Sequence, residues 1–245
     1  MQIGLNQMRV SVEVTNYVDA TRERFEAWLL KANLPTGAKL PSERELCELL
    51  DTKRMTLRQV LIELEVESRI FRKNRSGWFI TPSRFVYNPK ALSSFNAEAI
   101  KQGRQPFWGY LEQDLAQSLP SEIKQVFPLK ENTYKVTGWC GLDKHKVFYH
   151  ESYIDANFAP DFIKKLKGQS FAKVWEEEYG QVLTLKKLSF KPVNMHLFAC
   201  KELGVAPNSF GILIEKHRAT SDKKVVQVDL EYWRFESVEL VIEDL

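Results

Sequence analysis

Residues 42–64 read SERELCELLDTKRMTLRQVLIEL. Ser42 followed three residues later by Glu45 is a capping box: the hydroxyl takes one orphan N–H at the start of a helix, and the carboxylate reaches back for another. Leu46, Leu49 and Leu50 supply that helix with an apolar face. A turn around Asp51–Lys53 follows. Leu57, Val60, Leu61 and Leu64 then recur at i, i+3, i+4 and i+7, one face of a second helix over about 54–67. Arg54 and Arg58 stand four apart, so they project side by side from its first turns.

Upstream, residues 16–33 (NYVDATRERFEAWLLKAN) predict a helix, with Val18, Phe25, Trp28 and Leu29 as its stripe and Asn16 as its cap. LPTGAKLP breaks it. Downstream, Ile70–Lys73 and 77–82 predict two strands around a turn that carries Arg72, Lys73 and Arg75 and ends at Gly77. Two helices joined by a short turn, with cations opening the second, suit major-groove reading, because the arginine fork matches guanine O6 and N7. A basic hairpin after them suits a phosphate-contacting wing. A solvated helical bundle with surface arginines has the same spacing, and the basic hairpin favours the DNA reading over it.

The bulk numbers agree with two domains of an ordinary globular protein: 245 residues, 44% hydrophobic, 27% charged. Residues 1–85 hold 14 basic and 11 acidic residues, and the rest holds 21 of each, so the net +3 lies wholly in the first third. No apolar run approaches membrane-spanning length and the start lacks a secretory layout, so no membrane partner and a cytoplasmic location are expected. Cys47, Cys140 and Cys200 are scattered, which argues against a disulfide framework or zinc site.

After a Pro/Ser/Asn-rich stretch, the chain from about residue 92 mixes strand-like runs (133–140, 147–154, 184–190, 211–219, 225–235) with helical patterns (107–118, 160–167, 170–179, 194–203). The fold class is α+β, the second domain mainly antiparallel. The expected division is 10–82, a linker over 83–91, and 92–245. Period two puts Tyr149, Glu151 and Tyr153 on one face of their strand, Asp229, Glu231 and Trp233 on one face of theirs, and Lys135, Thr137 and Trp139 likewise. His145, His150, His196 and His217 form no HExxH, and GxSxG, Walker A and GxGxxG are missing, so no metal, cofactor or catalytic residue is expected.

The stretch from LPTGAKLPSEREL to GWFI resembles the winged helix-turn-helix domain of the GntR family of bacterial transcription regulators. The resemblance rests on G-x-x-LPSEREL, on Arg54-x-Thr56-x-Arg58, on Leu64 and on Gly77-x-Phe79-Ile80. It implies operator contact by Arg44, Arg54 and Arg58, with Lys53, Thr56 and the wing residues Arg72, Lys73, Arg75 and Gly77 in the same surface. Asp51, Ser68 and Arg75 stand where the family usually has turn glycines, so these turns are either rebuilt or strained. Met55 stands where the family has a small residue.

The remainder is similar to the UTRA ligand-sensing domain of the HutC subgroup, which has the chorismate-lyase fold. The similarity rests on LSSFNAE, VFYHESYI, SFAKVWEEEYG, ACKELGV and EYWRFESVEL. It implies a small-molecule effector near Phe95, Asn96, Glu151, Ser170 and Arg234, with Trp139, Tyr149, Tyr153, Glu231 and Trp233 as further candidate lining. The family's Arg-x-Arg pair falls on Trp139 and Gly141, so the expected pocket lacks an anion clamp and favours a neutral or cationic effector. The resemblance further implies a ligand-responsive repressor acting as a homodimer on a double-stranded inverted-repeat operator. An enzyme of chorismate-lyase type fused to a DNA-binding head, with Glu151 and Arg234 as its charged pair, is the alternative. A protein-interaction module would leave the arginine pair and wing unexplained.

Overall fold

The computed structural model describes the backbone of residues 2–90 and 94–242 and the side chains of 17–90, 94–129 and 131–242. The chain divides into two compact units, Met1–Ser83 and Arg84–Leu245.

The first unit holds α1 (Gln2–Ala32), α2 (Glu43–Leu49), α3 (Arg54–Val66) and an antiparallel hairpin of β1 (Ile70–Lys73) and β2 (Gly77–Ile80). Helix α1 starts far upstream of the expected cap. No glycine or proline interrupts residues 5–33, so Asn16 lies inside the helix. Phe25, Leu46, Leu50, Leu57, Val60, Leu61 and Leu64 make one core with Ile70 and Trp78. Leu49, expected to be buried, is 56% exposed; helical phase places Leu46 and Leu50 inward and leaves Leu49 outside. Arg22 clamps Glu67 bidentately at 2.7 and 2.8 Å, and Thr21 shares a 3.0 Å hydroxyl hydrogen bond with Thr52, so α1 grips the ends of α2 and α3.

The second unit begins earlier than expected. Phe85–Tyr87, placed in the linker by sequence, form β3, which pairs in parallel with β10 (Val238–Leu240) and buries Phe85 and Tyr87 in an aromatic core. Between them follow α4 (Phe95–Lys101), β4 (Pro106–Leu115), α5 (Ser121–Lys124), β5 (Thr133–Leu142), β6 (His145–Asp155), α6 (Phe162–Leu166), α7 (Phe171–Tyr179), β7 (Thr184–Asn194), α8 (Leu197–Leu203), β8 (Phe210–Ala219) and β9 (Val225–Arg234). Six strands form one antiparallel sheet in the order β4-β5-β6-β9-β8-β7. The helix expected over 107–118 is therefore an edge strand. A bulge between Tyr110 and Glu112 breaks its period-two alternation, which is why its apolar spacing imitates a helix. Leu92, Ser93 and the last three residues of the 92–245 span lie outside the described residues.

Candidate nucleic-acid interface and ligand cavity

The capping box forms as its residues dictate. Ser42 N–H donates to Glu45 Oε2 at 2.7 Å, and Glu45 N–H donates to Ser42 Oγ at 3.3 Å. Its hydrogen bonds to Ser42 hold the Glu45 carboxyl below the ordinary carboxylate range. Residues 37–40 run beside the wing: Gly37 N–H donates to Ile80 O, Ile80 N–H to Ala38 O and Leu40 N–H to Trp78 O. These contacts bring Lys39 to the mouth of a concavity of about 680 Å³, lined also by Arg44, Arg54, Arg58, Arg72, Arg75 and Gly77. Arg44, Arg54, Arg58, Arg72 and Arg75 are all exposed. Lys53, Thr56 and Lys73 do not line it. Lys53 precedes α3 as its cap residue, and Lys73 closes the hairpin opposite Gly77.

Sequence reading missed Glu43. Its carboxylate lies 3.4 Å from Arg54 Nε and 3.8 Å from Arg58 Nε, and it accepts the Trp78 indole N–H at 3.3 Å. One acid thus orients two arginines and ties them to the wing. Trp78 packs into the core of its unit, and the Arg72 guanidinium lies 5.8 Å from its ring centre.

The three turns without glycine are not rebuilt. Asp51, Ser68 and Arg75 hold φ of 44°, 60° and 57°, the left-handed conformation glycine would supply. Asp51 and Ser68 each close a Schellman motif. Thr52 N–H donates to Cys47 O and Asp51 N–H to Glu48 O; Arg69 N–H donates to Leu64 O and Ser68 N–H to Glu65 O.

In the second unit a cavity of about 390 Å³ opens on one face of the large sheet. Phe95, Asn96, Ser170 and Glu231 line it as expected. Trp139, Tyr149, Glu151, Tyr153, Trp233 and Arg234 do not. Register explains most of this. On β6, His150 pairs with Glu231 and Ser152 with Asp229, so Phe148, His150 and Ser152 share the cavity face, and Tyr149, Glu151 and Tyr153 point the other way. There Glu151 is 9% exposed; Tyr149 and Tyr153 donate to it at 3.2 and 2.9 Å, with Lys135 at 3.7 Å and His196 at 3.8 Å. Trp139 sits edge-on to Phe107 on that same opposite face, in space left by Gly109, where a Cβ would come within 2.8 Å of its ring. Trp233 is fully buried beside Phe148 in the aromatic core. Arg234 follows at the strand end and pairs with Glu236 at 2.5 Å.

The family's Arg-x-Arg positions carry no cation here, but the cavity has two others. Lys216 and Arg218 on β8 face it, paired across the sheet with acids of β9. Lys216 Nζ donates to Glu231 Oε1 at 2.5 Å and to the Tyr87 hydroxyl. Arg218 Nε donates to Asp229 Oδ2 at 3.0 Å. Asp229 Oδ1 also accepts from Ser152 Oγ and Gln227 Nε2, both at 2.7 Å, and Trp233 Nε1 donates to Glu231 Oε2 at 3.0 Å. Burial works against the Asp229 charge, but Arg218 and these donors outweigh it, and its carboxyl stays below the ordinary range. Burial likewise opposes the charges of Lys216 and Arg218, yet their acid partners hold both above their usual values. Burial pushes the His150 imidazole below its ordinary value, against the pull of Asp229 and Glu231. A Cβ on Gly138 would lie 2.7 Å from His150 Nε2, so the imidazole depends on that glycine. The sequence signal for this site was a pair of i, i+2 charges, Lys216/Arg218 against Asp229/Glu231, on consecutive antiparallel strands.

The comparisons fit this geometry. Residues 18–80 match the model of the gntR family of bacterial regulatory proteins, and residues 101–239 match the UTRA domain. The HTH-type transcriptional regulator YihL of Escherichia coli (strain K12) is 48% identical over 227 residues, covering 92% of this chain and 96% of that protein. A probable fructoselysine utilization operon transcriptional repressor of the same organism is 24% identical over 168 residues, 68% of this chain and 69% of that one. PhnF from Mycobacterium smegmatis has the same fold, with a TM-score of 0.56 at 16% identity, covering 91% of this chain and 98% of that one. The first two are named as transcriptional regulators, and the enzyme alternative finds no support among them. The chain belongs to the GntR family: it is a transcriptional regulator with a winged DNA-binding unit and a UTRA ligand-binding domain.

Proposed function

We propose that the protein is a cytoplasmic repressor that binds an inverted-repeat operator as a homodimer and loses affinity for it when a small metabolite occupies the 390 Å³ cavity. The observation that carries the DNA half is the convergence of Lys39, Arg44, Arg54, Arg58, Arg72 and Arg75 on one concave face. The repressor named among the relatives supports the sign of regulation. A dimer sets two recognition helices about one DNA turn apart, which matches an inverted repeat. The metabolite acts only through a difference in its affinity for the operator-competent and released states.

Selection of genomic fragments by the purified protein tests this, followed by Arg58→Ala on the selected site. Arg58 reads a base in this proposal, so the substitution costs roughly 1–3 kcal/mol and relaxes specificity. Equal discrimination between the selected site and random DNA would remove Arg58 from base reading.

A further inference from the structure

The hydrogen-bond balance of the cavity identifies the chemistry it is built to receive. Both oxygens of Asp229 and both of Glu231 already accept protein donors. The cations are not spent in the same way. Arg218 uses only Nε, and its two terminal nitrogens have no hydrogen-bond partner among the described residues. Its side chain is 25% exposed and lines the cavity. Lys216, almost fully buried, uses two of its three N–H groups. The Asn96 amide adds a further donor to the lining. The third acid of the lining, Glu176, is exposed to solvent on α7.

A cationic ligand would have to pull Asp229 from Arg218 or Glu231 from Lys216, leaving a buried cation unpaired, which is costly. An oxyanion does the opposite. It docks on the outward fork of Arg218 in two parallel N–H···O bonds while Nε keeps Asp229. Trp108, Tyr110 and Phe171 line the same cavity and offer flat apolar surface to a ring. A volume of about 390 Å³ suits a small metabolite.

We infer that the effector is a ring-bearing oxyanion, a phosphate, sulfonate or carboxylate, whose charged group sits on the terminal nitrogens of Arg218, with the buried Lys216 charge behind it. This rests on the ligand-responsive reading above and reverses the neutral-or-cationic expectation drawn from the loss of Arg-x-Arg.

Calorimetric titration of the full chain with phenyl phosphate, benzenesulfonate, benzoate and benzylamine tests it. At least one oxyanion binds about tenfold more tightly than benzylamine, and inorganic phosphate competes with it. The preferred head group among the three separates phosphate from sulfonate and carboxylate. Arg218→Gln weakens the preferred probe by about tenfold or more. Arg218→Lys keeps a cation against Asp229 but lacks the fork, and it weakens the probe by a similar factor; if the glutamine variant does not fold, this one decides. Tighter binding of benzylamine, no oxyanion binding up to about 10 mM, or unchanged affinity in the lysine variant overturns the inference. Fragment selection by the unmodified protein is scored separately. DNA binding without oxyanion binding defeats this inference alone, and failure to bind DNA defeats the regulator reading.

Discussion

Ser68 and Asp51 hold left-handed backbone that glycine adopts without a steric cost, so replacing both with glycine should stabilise the DNA-binding unit. The left-handed region costs a residue with a Cβ roughly 1–2 kcal/mol, and the extra freedom of glycine in the unfolded chain returns about 0.4–1 of that. Aspartate tolerates this region better than serine. Ser68→Gly therefore gains about 1 kcal/mol and Asp51→Gly about half as much. The motifs themselves survive, because all four of their hydrogen bonds run between backbone atoms. Arg75 is left untouched, since it lines the arginine concavity. Hydrogen exchange followed on peptides of the full chain isolates this unit from the other. Amides of α3 exchange about tenfold more slowly in the double variant if they open with the whole unit. Peptides of β6 and β9 do not change. Equal or faster α3 exchange would refute the argument that these turns are strained.

Glu43→Gln frees Arg54 and Arg58, so binding to random DNA tightens, its log–log salt slope steepens by about one to two units, and discrimination for the selected site falls; filter binding over a salt series measures all three. Arg72→Gln and Arg75→Gln each make that slope shallower by about 0.9, whereas Lys73→Gln, outside the concavity, leaves it nearly unchanged. His150 is held below its ordinary value, chiefly by burial, so the unfolded chain binds more protons than the folded one between its folded value and 6.5. Stability of the ligand-binding unit is then full above that window and falls as pH drops through it, by at most about 1.4 kcal/mol per pH unit. Urea midpoints against pH check this, and a rise in stability on acidification would contradict it.

The DNA-binding unit was legible because its determinants are local. The Ser42–Glu45 box, the Leu57–Leu64 stripe and the Arg54/Arg58 ridge each act within a few residues of chain, and the structure reproduces them. What escaped were contacts between elements. Glu43 reads as an ordinary first-turn acid until the return strand brings Trp78 against it and α3 brings two arginines. Residues 37–40 read as a helix breaker, yet their backbone completes the wing and delivers Lys39.

On β6 the expected lining residues stand one residue out of phase with those that face the cavity, and the cause is physical. Period-two reading assigns a face only when one side of a strand meets water. Residues 147–154 of β6 are buried on both sides, so polarity along the strand carries no face signal. Tyr149, Glu151 and Tyr153 looked like lining because they are polar, but they satisfy one another against the far face of the sheet. Charge complementarity between neighbouring strands survives double burial, since an unpaired ion there is too costly to keep. Lys216 and Arg218 against Asp229 and Glu231 carry that signal, with every acid oxygen spoken for and the arginine fork left over. On a strand buried on both sides, the face suited to a ligand is therefore marked by donors or acceptors left over after cross-strand pairing, and in this cavity the surplus is of donors.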